Sequence, residues 1–206
     1  GIGNWKTDQI VAALTTGAVQ IDGKTIQLAP VMPYRTFSAL SKQETLDVAA
    51  YLLSLKPVAN KVPAREIKQE PASFTPAQAA PAQPPTDPVE RGHEVVTIAG
   101  CGGCHTPKNA DGSPNTAMML AGAPLRGDEV AANITPDQET GIGKWTDDQL
   151  ATFMRTGDLP DGSKVKGAMA QQIDRRFSKL TEADAKAIAA YLKSIPAVKN
   201  EPKKAQ

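Results

Sequence analysis

The chain has 206 residues, room for one large or two ordinary domains. Its 23 Lys and Arg against 22 Asp and Glu leave a formal charge of +1, too little for the basic field that holds a protein on nucleic acid. No run approaches the ~18 apolar residues of a membrane span, and 16 Gly and 17 Pro beside only 4% aromatic residues point to long loops around small cores.

Gly1-Ile2-Gly3-Asn4-Trp5 has no initiator Met, basic n-region or apolar h-region, so it is expected to continue an upstream segment. A helix is expected over residues 7–16, followed by an Asp22-Gly23 turn and Met32-Pro33. Ser41-Lys42-Gln43-Glu44 is a capping box. It opens a helix with Leu40, Val48, Tyr51, Leu52 and Leu55 in one apolar stripe, stopped by Pro57. Residues 57–88 hold eight of the 17 prolines, the composition of an extended polyproline-like linker. Residues 88–99 read as a short helix and residues 106–140, rich in Gly, Pro, Asn and Asp, as loop. A second box, Thr146-Asp147-Asp148-Gln149, starts a helix with Leu150, Phe153 and Met154 inward, closed by Gly157. Thr181 caps a last helix to about Ser194, with Leu180, Ile188, Tyr191, Leu192 and Ile195 in register before Pro196. No alternating strand pattern stands out, so the expected class is all-α with long loops.

The chain repeats itself. Gly1-Ile2-Gly3-Asn4-Trp5 returns as Gly141-Ile142-Gly143-Lys144-Trp145, and Asp8-Gln9 and Thr16-Gly17 return as Asp148-Gln149 and Thr156-Gly157. Asp22-Gly23, Met32, Phe37-Ser38 and Ala49-Ala50-Tyr51-Leu52 match Asp161-Gly162, Met169, Phe177-Ser178 and Ala189-Ala190-Tyr191-Leu192. Some fifty residues with both cysteines precede the second copy within its domain. The expected organisation is therefore a tandem repeat whose first copy is truncated at its N-terminus: 1–60 the back half of a first domain, 61–86 a Pro/Ala-rich linker, 87–198 a complete domain and 199–206 a tail.

The only two cysteines lie in Cys101-Gly102-Gly103-Cys104-His105, the C-x-x-C-H spacing of covalent c-type haem attachment. Two thiols add across the haem vinyl groups and the adjacent histidine reaches the iron. Structural zinc would need four ligands, and the only other histidine is His93, read as a surface or packing residue. A thioredoxin-like dithiol would need a βαβ context that is lacking. His105 is expected neutral, its second ring nitrogen donating to a backbone carbonyl near Pro107. Met118, Met119, Met154 and Met169 are the candidates opposite it. Met154 is better read as core, and Met169 is favoured because it falls in a non-helical stretch matched by Met32-Pro33. Trp5 and Trp145 are packing residues or propionate donors, Arg126, Lys144, Arg155, Arg175 and Arg176 solvated charge or partner contacts, and Asn133-Ile134-Thr135 a coincidental glycosylation sequon.

Cys101 to His105 with Thr106-Pro107, Asn133-Ile134-Thr135-Pro136-Asp137, residues 140–146, Asp161-Gly162 and Gly167-Ala168-Met169 together closely resemble the multi-haem, di-haem type cytochrome c subunits of periplasmic, membrane-associated dehydrogenases. The resemblance implies cytochrome c-like domains and haem c on Cys101 and Cys104 with His105 and Met169 as axial ligands. It also implies Met32 as axial ligand of a second haem attached upstream. The implied role is electron transfer rather than catalysis, since an iron with both axial positions filled can only exchange electrons. Expected partners are a dehydrogenase catalytic subunit and a downstream cytochrome, quinone or oxidase, in the bacterial periplasm. Two rivals stand beside it: a haem enzyme with an open distal site acting on peroxide or sulfur compounds, and a docking subunit whose first domain holds no haem.

Overall fold

Side-chain caps open four of the helices, and helices are the main regular element of the computed structural model, which describes residues 1–21, 23–63, 66 and 68–204. The chain divides into units Gly1–Pro84 and Pro85–Gln206. Asp22 of the expected Asp-Gly turn lies outside the described residues, as do positions 64, 65 and 67 of the expected linker and 205 and 206 of the tail.

In the first unit, α1 (Thr7–Thr15) opens where the Lys6 N–H donates to Gln9 Oε1 at 2.8 Å. Gly17, at φ +68°, turns the chain into an antiparallel pair, β1 (Ala18–Ile21) and β2 (Lys24–Gln27), with Ala18 opposite Gln27. One turn of helix, α2 (Tyr34–Phe37), precedes α3 (Lys42–Ser54). The Ser41 box closes in both directions: Ser41 Oγ accepts from the Glu44 N–H at 3.2 Å, and the Ser41 N–H donates to Glu44 Oε2 at 3.0 Å. Ile10, Val19, Tyr34, Leu40 and Ala49 form this unit's core. Part of the proline-rich stretch is held to it. Phe74 packs on the Tyr34 ring at 5.6 Å, Arg35 lies 4.6 Å over Phe74, and the Lys42 and Gln43 N–H groups donate to the carbonyls of Pro81 and Ala82. Along α3, Leu46, Val48, Tyr51 and Leu53 are exposed, Tyr51 at 64%.

In the second unit, Asp87 Oδ1 accepts from the Val89 and Glu90 N–H groups at 3.0 Å and Pro88 takes the first helical position, launching α4 (Pro88–Ala99). Gly100, at φ +73°, ends it, and the motif follows at once as a short helical turn, α5 (Cys101–His105). The loop beyond contains a 3₁₀ turn, Thr116–Met118, and the strands β3 (Ala123–Pro124) and β4 (Val130–Ala131). Next come α6 (Asp147–Thr156), capped by Thr146 and Gly157 as expected, α7 (Gly167–Arg175), a 3₁₀ turn Phe177–Lys179, and α8 (Glu182–Ser194) with Thr181 Oγ1 accepting from the Asp184 N–H.

Helices α4 and α8 lie against each other and bury Val95, Val96, Ile188, Ala189 and Leu192 in a core shared with Leu150, Met154, Ile173 and Phe177. Each fully buried branched side chain contributes about 1.5–3 kcal/mol. The crossing is close enough that a Cβ at Gly92 would strike the Ala187 carbonyl. Arg91 seals its edge, 2.6 Å from the buried Glu94 carboxylate and 2.8 Å from Asp184. Two expectations need correction. The protein is mostly helical but not all-α, because two small antiparallel pairs form; their two to four residues are too short to show alternation in sequence. Met169 lies in the first turn of α7, not in a non-helical stretch.

Candidate functional site

The motif is positioned by α4 on one side and by the 120–135 loop on the other. Cys101 is half-buried and packs against the second unit's core, while Cys104 is exposed, and no disulfide joins them. Burial pushes the Cys101 thiol up to about 11, with Cys104 adding to the shift and a backbone hydrogen bond opposing it. A thiolate for zinc would need the opposite environment, and among the described residues no three His, Cys, Asp or Glu side chains gather as a metal cluster.

His105 Nδ1 lies 2.8 Å from the Ala132 carbonyl oxygen. A carbonyl only accepts, so Nδ1 carries the proton and Nε2 keeps its lone pair. Nε2 makes no hydrogen bond to the described residues. Desolvation lowers the His105 pKa, against the smaller effect of the Ala132 bond, and favours this neutral ring. The expected acceptor near Pro107 is corrected here: the Pro107 carbonyl is taken by the Asn115 N–H at 2.8 Å. The backbone of the motif is gripped as well. The Gly122 N–H donates to the His105 carbonyl at 2.7 Å, and Thr106 Oγ1 accepts from the Leu120 N–H at 3.0 Å. Leu120 is buried at φ +61°, a left-handed conformation that costs a bulky residue about 1–3 kcal/mol and persists only where neighbours fix it. At Gly122, with φ +86°, a Cβ would lie 2.7 Å from the Asn133 nitrogen, so no other residue lets these strands approach.

The remaining sequence candidates separate clearly. Met169 is half-buried and packs on the same apolar cluster as Cys101, beside Ile134, Trp145, Phe153 and Val165. Its helix begins without a side-chain cap of its own, and Glu129 Oε1 supplies one by accepting from the Ala168 N–H at 3.1 Å. Met154 is core, as expected. Met118 is half-buried in the 3₁₀ turn and Met119 is exposed. His93 is exposed, its ring 5.0 Å from Tyr191. Trp145 packs edge-on to Phe153 at 5.4 Å. Arg126, Lys144, Arg155, Arg175 and Arg176 are all exposed, and Trp5 is half-buried in the first unit. Met32 is 49% exposed, also in the first unit. Ala132, Gly122 and Glu129 carried no sequence signal, because each acts by backbone or by a contact distant in sequence.

A family model described as cytochrome c matches residues 89–196, just over half of the chain. The chain belongs to the cytochrome c family. It is 34% identical over 218 residues to a fructose dehydrogenase cytochrome subunit of Gluconobacter japonicus. It is 31% identical over 219 residues to a gluconate 2-dehydrogenase cytochrome c subunit of Pantoea cypripedii, and 29% identical over 216 residues to a diheme cytochrome c-type protein of Cereibacter sphaeroides. Each alignment takes in 96% of this chain but 42%, 48% and 68% of those relatives. The chain spans about half the length of most curated relatives it matches. The group resembled by the cysteine motif and its companion segments is thus the group these matches describe.

Cytochrome c membership implies covalently bound haem c, and the residues present fit it. The half-buried Cys101, packed on the apolar core, suits an uncharged thioether better than a charged thiolate. His105 Nε2 makes no hydrogen bond to the described residues, and the half-buried apolar side chains that pack on one cluster with Cys101 suit a large apolar macrocycle. Among the described residues no helix is long and apolar enough to cross a membrane.

Proposed function

We propose that this chain is an electron-transfer cytochrome c segment that relays electrons from a periplasmic dehydrogenase subunit to a downstream cytochrome, quinone or oxidase. Haem c, when bound, supplies a one-electron iron couple. In this reading Cys101 and Cys104 would carry the two thioether bonds, and His105 Nε2 and the Met169 sulfur would hold the iron. The single observation carrying the reading is the His105 Nδ1 contact with Ala132, which commits one ring nitrogen to the fold and leaves the other for iron. A second support is that Cys101 and Met169 pack against one apolar cluster. The Ala132 acceptor holds the imidazole orientation and raises its basicity, and the apolar surroundings disfavour the extra charge of ferric iron.

The reading extends to the first unit, taken as the back half of a second cytochrome c domain with Met32 as an axial ligand to its haem. Support comes from the shared order of elements along the chain, in which α1, a left-handed Gly17 and α3 correspond to α6, Gly157 and α8. The exposed face of α3 adds to it: Val48 and Tyr51 stand where α8 carries Ile188, which is 1% exposed, and the half-buried Tyr191. The chain then acts as the electron-transfer rather than the catalytic subunit.

Haem content by pyridine haemochrome against protein mass, read with the far-red ferric band of methionine-ligated haem, tests the proposal. One haem per chain with that band, abolished in Met169→Ala, is the expected result. A high-spin ferric spectrum in the unaltered protein would overturn the two-ligand assignment and favour an open-site enzyme.

A further inference from the structure

Beyond α8 the chain does not leave the fold. Pro196 ends the helical run, and residues 197–200 cross back over the loop that grips His105. Val198 accepts at its carbonyl from Asn133 Nδ2 at 2.7 Å and donates its own N–H to Thr135 Oγ1 at 3.1 Å. The Asn200 N–H donates to Thr140 Oγ1 at 3.1 Å, and Asn200 Nδ2 donates to the Ala121 carbonyl at 2.8 Å and the Gly122 carbonyl at 3.3 Å. Asn133 and Thr135 are buried, and Asn133 Oδ1 accepts from both the N–H and the hydroxyl of Thr135. The sequon Asn133-Ile134-Thr135 is thus an internal hydrogen-bond hub, and its amide is not available for glycosylation.

These contacts converge on the two segments that hold His105. Gly122, whose carbonyl receives Asn200, is the residue whose N–H grips the His105 carbonyl. Asn133, whose amide reaches Val198, follows the Ala132 whose carbonyl accepts from His105 Nδ1. One four-residue segment therefore ties the backbone clamp on His105 to the clamp on its ring. We infer that residues 197–200 form a proximal strap, with Asn200 and Asn133 as positioning residues that set the Ala132–His105 hydrogen bond and so the character of His105 as a ligand. The inference rests on the reading of His105 as an axial ligand.

The test uses the haem-loaded protein and follows the solvent exchange of the His105 Nδ1 proton by NMR in the ferrous state. Asn200→Ala removes the two hydrogen bonds that Asn200 Nδ2 donates to the Ala121 and Gly122 carbonyls without touching the core. Exchange is expected to accelerate about tenfold or more, the signature of a clamp that opens more often. Lys199→Ala, which breaks the exposed ion pair with Glu139 at 2.5 Å and removes a positive charge near Asp137 but no strap hydrogen bond, is expected to leave exchange unchanged. Val198→Pro, which deletes the donor to Thr135, repeats the measurement independently and decides the matter if Asn200→Ala loads haem poorly. Exchange within about twofold of the parent in the strap variants would overturn the strap while leaving the ligand assignment intact. Absence of a haem-shifted His105 proton in the unaltered protein would overturn the ligand assignment and the strap with it.

Discussion

Replacing Gly92 by Ala sets two effects of opposite sign against each other. In a helix interior Ala is favoured over Gly by about 1 kcal/mol, so propensity alone predicts a more stable protein. At this position, however, the added Cβ would strike the Ala187 carbonyl, with the Ala187 carbonyl carbon at 2.6 Å and Tyr191 Cβ at 2.7 Å. Two of those three atoms are backbone of α8, so no side-chain rotation clears them. Relief requires α4 and α8 to separate, loosening Val95, Val96, Ile188 and Leu192 together. Overpacking typically costs about 1–3 kcal/mol, and a backbone clash lies at the upper end, so a net loss of about 2 kcal/mol is expected. For a unit of this size that corresponds to a fall of about 8 °C in Tm. Calorimetry of the second unit's transition reads it. Because α4 runs directly into Cys101, haem incorporation should fall as well. A Tm equal to or above the parent's would refute the reasoning, since it would mean that the helices do not cross as closely as Gly92 implies.

Glu129→Ala deletes the only side-chain cap on α7 and should destabilise that helix by about 1 kcal/mol. Glu129→Gln, which keeps the accepting oxygen, should recover most of it. The check is the methionine-dependent far-red band, weakened in the Ala variant and retained in the Gln variant. Acid should act on Asp137, whose carboxyl is held below the ordinary 3.8 chiefly by the Thr140 N–H and hydroxyl, with the Glu139 N–H and Lys199 assisting. A carboxyl with a lowered folded pKa contributes stability that is fully present above its unfolded value and lost as pH falls through the folded one. The 137–143 turn should therefore stay protected against amide exchange at pH 5 and loosen below about pH 4, and Asp137→Asn should remove that pH dependence.

Capping made the helices legible. Ser41 with Glu44 and Thr146 with Gln149 are closed within four residues, so the sequence contains all the atoms that decide those boundaries. The proposed Cys101–His105 site has the same local character, since covalent haem attachment would need its residues at fixed short spacing. What escaped depends on partners far along the chain. Met169 read as non-helical because Gly167 opens α7 at φ +69° and its cap, Glu129, lies 39 residues away from Ala168. The acceptor for His105 was sought beside it, at Pro107, yet the fold supplies it 27 residues on, from a backbone carbonyl that has no side-chain signature. The strap was invisible for a related reason: Asn200 looks like any polar tail residue until the 120–135 loop is folded beneath it.

The contrast between α3 and α8 shows what periodicity can and cannot decide. Both follow the same pattern, with Ala49-Ala50-Tyr51-Leu52 in one and Ala189-Ala190-Tyr191-Leu192 in the other. Ala49 and Ala189 are equally buried, because that face meets α1 in the first unit and the core in the second. Val48 and Tyr51 are exposed, whereas Ile188 is buried under α4. The pattern thus fixes which side of a helix is apolar, but the covering surface must come from elsewhere, and α4 meets that need only because Gly92 lets it come close enough. An apolar face kept at the positions where its twin is covered is the mark of a helix shaped for a partner. In the proposed reading that partner is a cysteine-bearing helix, and in a longer chain protection of the Val48 and Tyr51 side of α3 from exchange and modification would be its consequence.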